Sequence, residues 1–291
     1  MSHTPISVFI ITLNEEAHIE EVLQSVQHFD EVVLVDSGST DKTLEIAARY
    51  AVKIHHQDWL GFAKQKAHAM SLCSNEWVFN IDADEVISPE HSALIQQRVD
   101  ARSADAYRIY FEDLFWGKEM SPSSGKRSIV RVYHKNKVAF PTDRLVHENV
   151  VLEKGAKTES LLGLVKHYGY HSTDVLMAKQ NKYSTLKAQE KFNKGKQPSY
   201  LKLLLIFPVM FIKAYFLKKM FLSGKRGLVH ATIDAMYGFL KEAKLHELHY
   251  LESSHEDSLN NSRKDSVKNN HKDSFNHSQK SSHKTSDNEH D

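Results

Sequence analysis

The chain has 291 residues, of which 41% are hydrophobic, so it is long enough to bury a substantial core. Its formal net charge of +1 excludes a global electrostatic preference for nucleic acid, and its single cysteine excludes an intrachain disulfide and a cysteine metal site. Residues 1–16 have no basic segment ahead of their short apolar run, which predicts no signal peptide. We expect a globular, cytoplasmic protein that binds no nucleic acid.

Short apolar runs and helical patterns alternate through the first hundred residues. The runs are mostly β-branched, as in strands buried on both faces of a sheet, and they cover residues 6–11, 32–35, 52–54 and 77–81. Helical patterns lie between them at residues 15–27, 41–50 and 61–73, and Ser88 with Pro89 predicts the start of a further helix. This order predicts an α/β fold with a parallel, doubly wound sheet.

Polar residues follow each predicted strand. The segments are TLNEE (12–16), DSGSTD (36–41), HQD (56–58) and DADE (82–85). Ligands of such sheets bind at the carboxyl ends of the strands, so we expect the four segments to share one crevice. The alternative for DSGSTD is a capped turn into the next helix, which leaves Asp36 without a role.

The stretch EWVFNIDADEVIS ends an apolar run in three acids, Asp82, Asp84 and Glu85. Carboxylates at the end of a buried strand repel one another and need a positive partner. Strand alternation predicts that Asp82 and Asp84 point to the same side, with Ala83 facing away. This pair suits one hard cation, Mg²⁺ or Mn²⁺, because a substrate phosphate can supply further ligands. Glu85 is expected to brace the loop.

Four segments in this order and spacing, SVFIITLNEE, EVVLVDSGSTDKT, GFAKQKAHA and WVFNIDADE, resemble the family 2 glycosyltransferases. The resemblance implies the GT-A fold, a Rossmann-like, mostly parallel sheet, and a nucleotide-sugar donor held by the first two loops. It also implies that Asp-x-Asp binds a divalent cation with the donor diphosphate. Carried over, donor binding falls to Thr12, Asn14, Glu15, Asp36, Lys66 and Asp82, and metal binding to Asp84 and Asp82, with Asp84 the more direct ligand.

Most family 2 enzymes invert the anomeric centre, so the resemblance also implies a carboxylate that deprotonates the acceptor hydroxyl. We favour Glu148 in VHENV, because a His-Glu pair matches a motif of one subgroup, and we place Asp113 in YFEDLF second. Glu112 and Asp143 are further candidates. The structural alternatives are that Glu112 and Asp113 only end a strand, and that His147 is a core histidine.

The segments HQDWLGFAKQKAHA, VHENV, HYGYHS and FLSGKRGLVHATIDAMYGFLKEAKLHE resemble the bacterial lipopolysaccharide inner-core glucosyltransferases that add β-1,4-glucose to heptose. This implies a UDP-hexose donor, with UDP-glucose first, and a lipopolysaccharide or lipooligosaccharide core acceptor. By partial analogy Arg226 contacts the donor diphosphate. The segment GKEMSPSSGKRSIVRVYHKNK departs from the subgroup, which leaves the acceptor less certain than the donor.

Other functions stay open at this point. One is another family 2 transferase that acts on glycans or glycolipids, and another is a non-catalytic scaffold that keeps the fold at a membrane. A nucleotidyltransferase is a third, although it would normally have a glycine-rich phosphate loop after the first strand, where this chain has TLNEE.

Residues 182–226 carry eleven Lys or Arg and a single acid, Glu190. They include LKLLLIFPVMFIKAYFLKKMFL (201–222), in which lysines and Pro208 interrupt the apolar run and disfavour a membrane span. We expect an interfacial segment on the anionic inner face of the bacterial inner membrane. The alternative is a core helix packed on the sheet with lysines at its rim.

These patterns divide the chain into three regions. Residues 1–170 form the predicted GT-A domain, 171–252 a helical, basic extension and 253–291 a tail. The tail repeats an Asp-Ser-apolar unit that begins at Asp257, Asp265 and Asp273. One apolar residue in eight is too few to offset chain ordering, so we expect disorder, and its histidines lack the spacing of a structural metal site.

Overall fold

The computed structural model describes the backbone of residues 3–141 and 149–282, and the side chains of residues 3–141 and 149–255. The strands are β1 Ile6–Thr12, β2 Glu31–Asp36, β3 Lys53–His56, β4 Trp77–Asn80, β5 Glu85–Val86, β6 Ala106–Phe115, β7 Lys118–Glu119, β8 Arg127–His134, β9 Val138–Ala139, β10 Val151–Leu152 and β11 Thr158–Tyr170. The helices are α1 Ile19–Val26, α2 Thr43–Ala47, α3 Phe62–Ser71, α4 Pro89–Ala101, α5 Thr173–Asn193, α6 Tyr200–Ile212 and α7 Gly224–Ser282. Short 3₁₀ segments cover Lys135–Lys137 and Met220–Ser223, and a π-helical turn covers Lys213–Leu217.

Nine of the described strands form one sheet, in the order β3-β2-β1-β4-β8-β6-β11-β5 with β7 beside β6. Strands β1 to β4 pair in parallel, as the alternation of strand and helix predicts. Strand β8 runs antiparallel to both β4 and β6, whereas β6 and β11 are parallel. The predicted α/β fold with a parallel sheet is therefore confirmed for the first half of the sheet, and β8 makes the second half mixed.

The burial of the first four strands follows their place in the sheet. Every residue of β1, β2 and β4 is buried, as predicted for strands covered on both faces. The prediction is wrong for β3, which is an edge strand with mostly exposed residues. Ile54 of β3, for example, is 39% exposed, because no strand and little helix surface covers that edge.

Hydrogen bonds near their first residues determine where helices α4 and α1 begin. Helix α4 begins as predicted, with Pro89 as its first residue and the Ser88 hydroxyl accepting a hydrogen bond from the amide of His91 at 3.2 Å. Helix α1 begins at Ile19, later than the predicted residue 15. The reason is that residues 14–16 donate their amide hydrogens to side chains of the loop after β2 and of Thr43, the first residue of α2.

The core lies on both faces of the parallel half of the sheet. One layer joins β1 and β4 to apolar residues of α1 and α4, such as Leu23 and Ile95. The other layer packs α3 against the opposite face, where Ala69 meets Phe9 and Val78. Helices cover both faces of the central strands β1, β2 and β4, and the site lies at one set of their ends.

The C-terminal helices pack mainly on one another. A small cluster of Phe115, Met120, Leu176 and Ile233 ties α5 and α7 to the sheet. Helix α6 has no buried residue, although all of it is described, so the alternative of a core helix is wrong. Helix α7 continues to Ser282, through the repeat for which the sequence predicts disorder. Once α7 is nucleated on α5, each further helical residue adds a backbone hydrogen bond.

Candidate functional site

The loops after β1 and β2 interlock at the carboxyl edge of the sheet. Thr12 and Asp36, the last residues of the two strands, are register partners. Asn14, with φ +56°, donates its amide to the Ser39 hydroxyl at 2.9 Å and accepts from the amide of Thr40 at 2.8 Å. The two predicted nucleotide loops thus have a fixed relative position before any ligand binds.

Asp36 has a structural role that its sequence position does not reveal. Its carboxylate accepts hydrogen bonds from the amides of Gly38 and Ser39, at 2.8 and 2.9 Å, and from the Ser39 hydroxyl. Thr12 is different, because its hydroxyl is buried and has no hydrogen-bond partner among the described residues. A ligand group at this edge could therefore bond to Thr12 without displacing a protein contact.

Glu15 lies close to the acids that follow β4. Burial is the main cause that raises the pKa of Glu15, and the negative charge of Asp84 adds to it, so that the pKa reaches about 7. Its amide donates to the Thr43 hydroxyl at 2.8 Å, which holds the residue in the loop. The first loop and the Asp-x-Asp segment therefore meet in one crevice, as the parallel strand order predicts.

Asp82 forms ion pairs with the buried cations Lys66 and Arg131. Nζ of Lys66 on α3 lies 2.7 Å from Oδ1 of Asp82, and Nη2 of Arg131 on β8 donates to Oδ2 at 2.7 Å. Burial alone disfavours the ionised acid, but Arg131 and then Lys66 outweigh it and hold the pKa of Asp82 well below its ordinary range. Asp82 is thus ionised and already neutralised by the protein.

Glu85 braces the turn, as predicted. Its Oε2 accepts the amide of Asp82 at 2.9 Å, and its Oε1 accepts Nη2 of Arg131 at 2.8 Å. Strand β4 ends at Asn80, and the amide of Glu85 donates to the carbonyl of Asp82 at 3.0 Å. The expectation that strand alternation orients Asp82 and Asp84 is therefore wrong, because these residues belong to a turn.

His167 on β11 connects Asp113 with Asp84. Its Nδ1 lies 2.8 Å from Oδ1 of Asp113, and its Nε2 lies 3.4 Å from Oδ2 of Asp84. Burial by itself favours the neutral ring, but the two carboxylates outweigh it and raise the pKa of His167 to about 9. The imidazole is thus charged at neutral pH and donates to both acids.

Asp113 also pairs with Arg127, whose Nε donates to Oδ1 at 3.0 Å. Burial opposes ionisation of Asp113, but His167 and Arg127 outweigh it and hold its pKa well below the ordinary range. A carboxylate with so low a proton affinity is a weak general base. The neighbouring Glu112 accepts from Nζ of Lys126 at 2.6 Å, so it too has a cationic partner.

The ion pairs join into one chain of alternating charge. Within the described residues it runs through Lys66, Asp82, Arg131, Glu85, Arg127, Asp113, His167 and Asp84, and the longest step in it is the 3.5 Å contact between Arg127 and Glu85. Each of these groups therefore has an opposite neighbour, which favours its charged form, although burial outweighs this at Glu85 and raises its pKa. The positive partners of the acids that follow β4 are thus side chains of the protein itself.

A divalent cation fits Asp84 better than Asp82. Among residues 3–141 and 149–255, no three His, Cys, Asp or Glu side chains are arranged to hold a metal ion. Both oxygens of Asp82 contact protein cations, whereas the side chain of Asp84 is 21% exposed and forms, among the described residues, a single ion pair, through Oδ2 with His167. Mg²⁺ needs only one or two carboxylates when a substrate supplies phosphates, so Asp84 fits this chemistry as a direct ligand.

Neither Arg226 nor Glu148 is observed in its predicted role. Nη1 of Arg226 donates to the carbonyls of Phe115 and Lys118, at 3.2 and 2.9 Å, and so holds the turn between β6 and β7. Its donor contact stays a prediction. Glu148, the preferred base, lies outside the described residues, as do Asp143 and His147.

Arg127, Arg131 and His167 are not predicted from the sequence. A signal exists for the arginines, because a spacing of four in a strand places both on one face, within the largely β-branched and aromatic run RSIVRVYH. A buried arginine needs an acid, so this pattern indicates a partner for the Asp-x-Asp segment. His167 has no comparable local signal, because it is one of 19 histidines.

This chain is similar in sequence to known glycosyltransferases. The sequence model of "Glycosyl transferase family 2" matches residues 7–150. The lipopolysaccharide core biosynthesis glycosyltransferase LpsC of Rhizobium meliloti is 34% identical over 259 residues, which cover 86% of this chain and 94% of that protein. An uncharacterized glycosyltransferase of Rickettsia typhi is 36% identical over 254 residues, 84% of this chain and 87% of its own length. The crystal structure of S. aureus TarS 1–349 is 17% identical, with a TM-score of 0.46 over 84% of this chain and 92% of that one.

The class of protein follows from the fold and the family match together. A parallel sheet with a crevice of acids at its carboxyl edge, in a chain so similar to a glycosyltransferase along most of its length, is a sugar-transferring enzyme. The chain belongs to glycosyltransferase family 2. The predicted GT-A fold and the predicted transferase class are confirmed.

Proposed function

We propose that this enzyme transfers a hexose, with glucose as the first candidate, from a UDP-sugar to the heptose of a lipopolysaccharide core, with inversion. The observation that carries the proposal is Asp84, a partly exposed carboxylate at the carboxyl edge whose ion pair with His167 uses one of its two oxygens. The acceptor class is supported by LpsC, which is named for lipopolysaccharide core biosynthesis and shares 34% of its residues over 86% of this chain.

The donor lies along the interlocked loops. Thr12, Asn14, Glu15 and Asp36 line the base and ribose, with the buried Thr12 hydroxyl as the free hydrogen-bonding group. Asp84, with Asp82 beside it, would hold Mg²⁺ or Mn²⁺ together with the donor diphosphate. Such a cation offsets the charge that develops on the departing nucleoside diphosphate. Lys66 and Arg131 keep Asp82 ionised at the edge of this site.

The acceptor hydroxyl needs a carboxylate to take its proton. Glu148 is the preferred base, and the low pKa of Asp113 supports this order, because Arg127 and His167 already use the charge of Asp113. Asp113 then serves to hold His167, and through it Asp84, in place.

The enzyme works at the inner face of the bacterial inner membrane. One face of α6 and the turn after it exposes a row of apolar side chains to solvent: Leu201, Leu204, Leu205, Val209, Ile212 and Phe216. Exposed lysines, among them Lys213 and Lys218, border this row. Apolar side chains that enter the headgroup boundary, and lysines that meet anionic lipid, would bind the enzyme beside its lipid-linked acceptor.

An interfacial position fits α6 better than a spanning one. Tyr200–Leu217 is long and apolar enough to cross a membrane, with a mean hydropathy of 1.8 and 6% of the segment buried. However, α6 lies along α7, where Gly238 faces Ile206 and Met210, and Lys202 lies 3.4 Å from Glu242. A spanning α6 would carry these charges of α7 into the hydrocarbon region.

Transfer assays test the proposal. The full chain is incubated with labelled UDP-glucose, Mn²⁺ and a heptose-terminated lipopolysaccharide core, and labelled core is measured. We expect transfer that chelation by EDTA abolishes and that Asp84→Asn abolishes, whereas the control Glu153→Gln, an exposed acid paired with Lys137, keeps wild-type activity. Absence of transfer from every UDP-hexose to this acceptor would refute the proposal, and transfer to another glycolipid would support the broader alternative.

A further inference from the structure

The turn between β6 and β7 has an unusual residue at its tip. Phe115 and Lys118 pair across the turn, and the two residues between them, Trp116 and Gly117, have φ of +55° and +67°. Positive φ at both central positions defines a type I′ turn, which favours Asn-Gly. For a residue with a side chain the left-handed conformation costs roughly 1–2 kcal/mol, so this turn holds a bulky indole at an energetic cost.

The indole of Trp116 is held from several sides. Its ring stacks on Phe115, with centroids 5.0 Å apart and planes inclined by 28°. Nε1 donates to the hydroxyl of Thr173 at 3.1 Å, and the backbone amide donates to the carbonyl of Tyr170 at 3.2 Å. Arg226 holds the base of the turn through two carbonyls. The ring thus has a fixed orientation, and yet Trp116 is 37% exposed.

The position of Trp116 connects it with the reaction centre. Strand β6 runs parallel to β4, since both are antiparallel to β8, so its carboxyl end lies at the same edge as Asp84. Trp116 comes directly after the last residue of β6, three residues beyond Asp113. The ring of Tyr170, whose carbonyl binds Trp116, lies 5.4 Å from His167. In the sheet order β8 separates β4 from β6, so Trp116 lies on the far side from the nucleotide loops.

We propose that the exposed face of Trp116 is the platform on which the acceptor sugar ring stacks. The inference rests on the proposed function. The C–H face of a pyranose is apolar and matches an aromatic ring in size, whereas its hydroxyls point outward to polar groups. A ring that is already immobilised gives large contact area without an ordering cost on binding. The chain therefore keeps an otherwise unfavourable tryptophan at a turn position that suits asparagine.

Steady-state kinetics with a deacylated, heptose-terminated core oligosaccharide test this platform. We expect Trp116→Ala to raise the KM for this acceptor by about tenfold or more, while the KM for UDP-glucose and its slow hydrolysis without acceptor stay unchanged. Trp116→Phe, which keeps an aromatic face, should stay within about threefold of wild type. An unchanged acceptor KM in Trp116→Ala overturns the inference, and so does a loss of donor hydrolysis equal to the loss of transfer, because that indicates a merely structural role.

Fluorescence gives a second readout that does not depend on turnover. In a Trp59→Phe background the emission comes from Trp116 and the buried Trp77. Titration with the core oligosaccharide should shift this emission, and the shift should be lost in Trp59→Phe/Trp116→Phe. If the core oligosaccharide accepts the labelled sugar and yet causes no shift, the platform is refuted while the transferase proposal stands. If the oligosaccharide shifts the emission without accepting sugar, the platform stands and the proposed acceptor reaction fails.

Discussion

The ammonium of Lys66 lies 2.7 Å from the carboxylate of Asp82, so two residues predicted to bind a donor and a metal ion neutralise each other. Lys66 is 2% exposed and Arg131 shares the same carboxylate, which makes Asp82 part of a buried charge network. Removing one partner of a buried ion pair leaves an uncompensated charge, and this has direct consequences for stability.

Lys66→Met should lower the free energy of unfolding by about 3 kcal/mol, because Asp82 loses one of its cations in a buried site. Urea unfolding at pH 7 measures this change. The double variant Lys66→Met/Asp82→Asn should lose clearly less than the sum of the single variants, since it removes both charges. The control Lys137→Met removes an exposed partner of Glu153 and should cost under about 0.5 kcal/mol. Additive losses in the double variant would contradict the pairing.

His167→Ala should raise the Mn²⁺ concentration for half-maximal transfer by about tenfold, because the side chain that orients Asp84 is lost. The measurement is the transfer rate as a function of Mn²⁺ at saturating donor. His28→Ala changes an exposed histidine that follows α1 and serves as the control. An unchanged Mn²⁺ dependence in His167→Ala would show that Asp84 does not depend on this contact.

Glu31 predicts a pH dependence of stability far from the reaction centre. Burial alone favours the neutral acid, but Lys53, Ser7 and Ser74 bond to the carboxylate and lower its pKa from 4.5 to about 2. A lowered folded-state pKa stabilises the protein above pH 4.5, and this stabilisation is lost as the pH falls toward 2. Glu31→Gln should cost about 2 kcal/mol at pH 7 and flatten this dependence. Parallel urea midpoints for both proteins between pH 5 and 3 would contradict it.

Substitution of the two candidate bases, Glu148 and Asp113, should have different effects on activity and stability. Glu148→Gln should lower kcat by about 10²-fold or more with the donor KM unchanged, as expected when a general base is lost. Asp113→Asn leaves Arg127 and His167 without their acid, so its loss of activity should come with a loss of about 2 kcal/mol in unfolding free energy. Steady-state kinetics with UDP-glucose and urea unfolding distinguish these two effects. A wild-type kcat for Glu148→Gln would exclude it as the base.

Binding to lipid vesicles tests the exposed face of α6. Replacing Leu201, Leu204 and Leu205 with glutamine should reduce sedimentation with vesicles containing anionic lipid by about tenfold or more, because burial of several leucines is lost. High salt should weaken wild-type binding only in part, since screening removes the lysine contribution alone. The exposed Leu162 on β11 provides a matched control as Leu162→Gln. Equal sedimentation of all three proteins would rule out this surface.

Local patterns were sufficient for the parallel half of the fold. The ends of the observed β1, β2 and β4 agree within one or two residues with those of the apolar runs that predict them. A short β-branched run between polar loops is typical of a central strand buried on both faces. The start of α4 was predicted from Ser88 and Pro89 for the same kind of reason, since both residues act on their own backbone. Where burial depends on a neighbour, as at the edge strand β3, the local pattern was misleading.

The acids of the site can be predicted from the sequence, but the cations that pair with them cannot. The sequence by itself determined that Asp82, Asp84 and Glu85 closely follow a buried strand, and from this that positive charge must lie nearby. Only the tertiary structure decided which charge, because Arg131 lies 49 residues from Asp82 in the chain and reaches it through the antiparallel insertion of β8 between β4 and β6. The burial of a strand can be predicted because it leaves a local pattern of apolar residues. The pairing of distant strands leaves no such pattern, so the partners of the acids are known only from the tertiary structure.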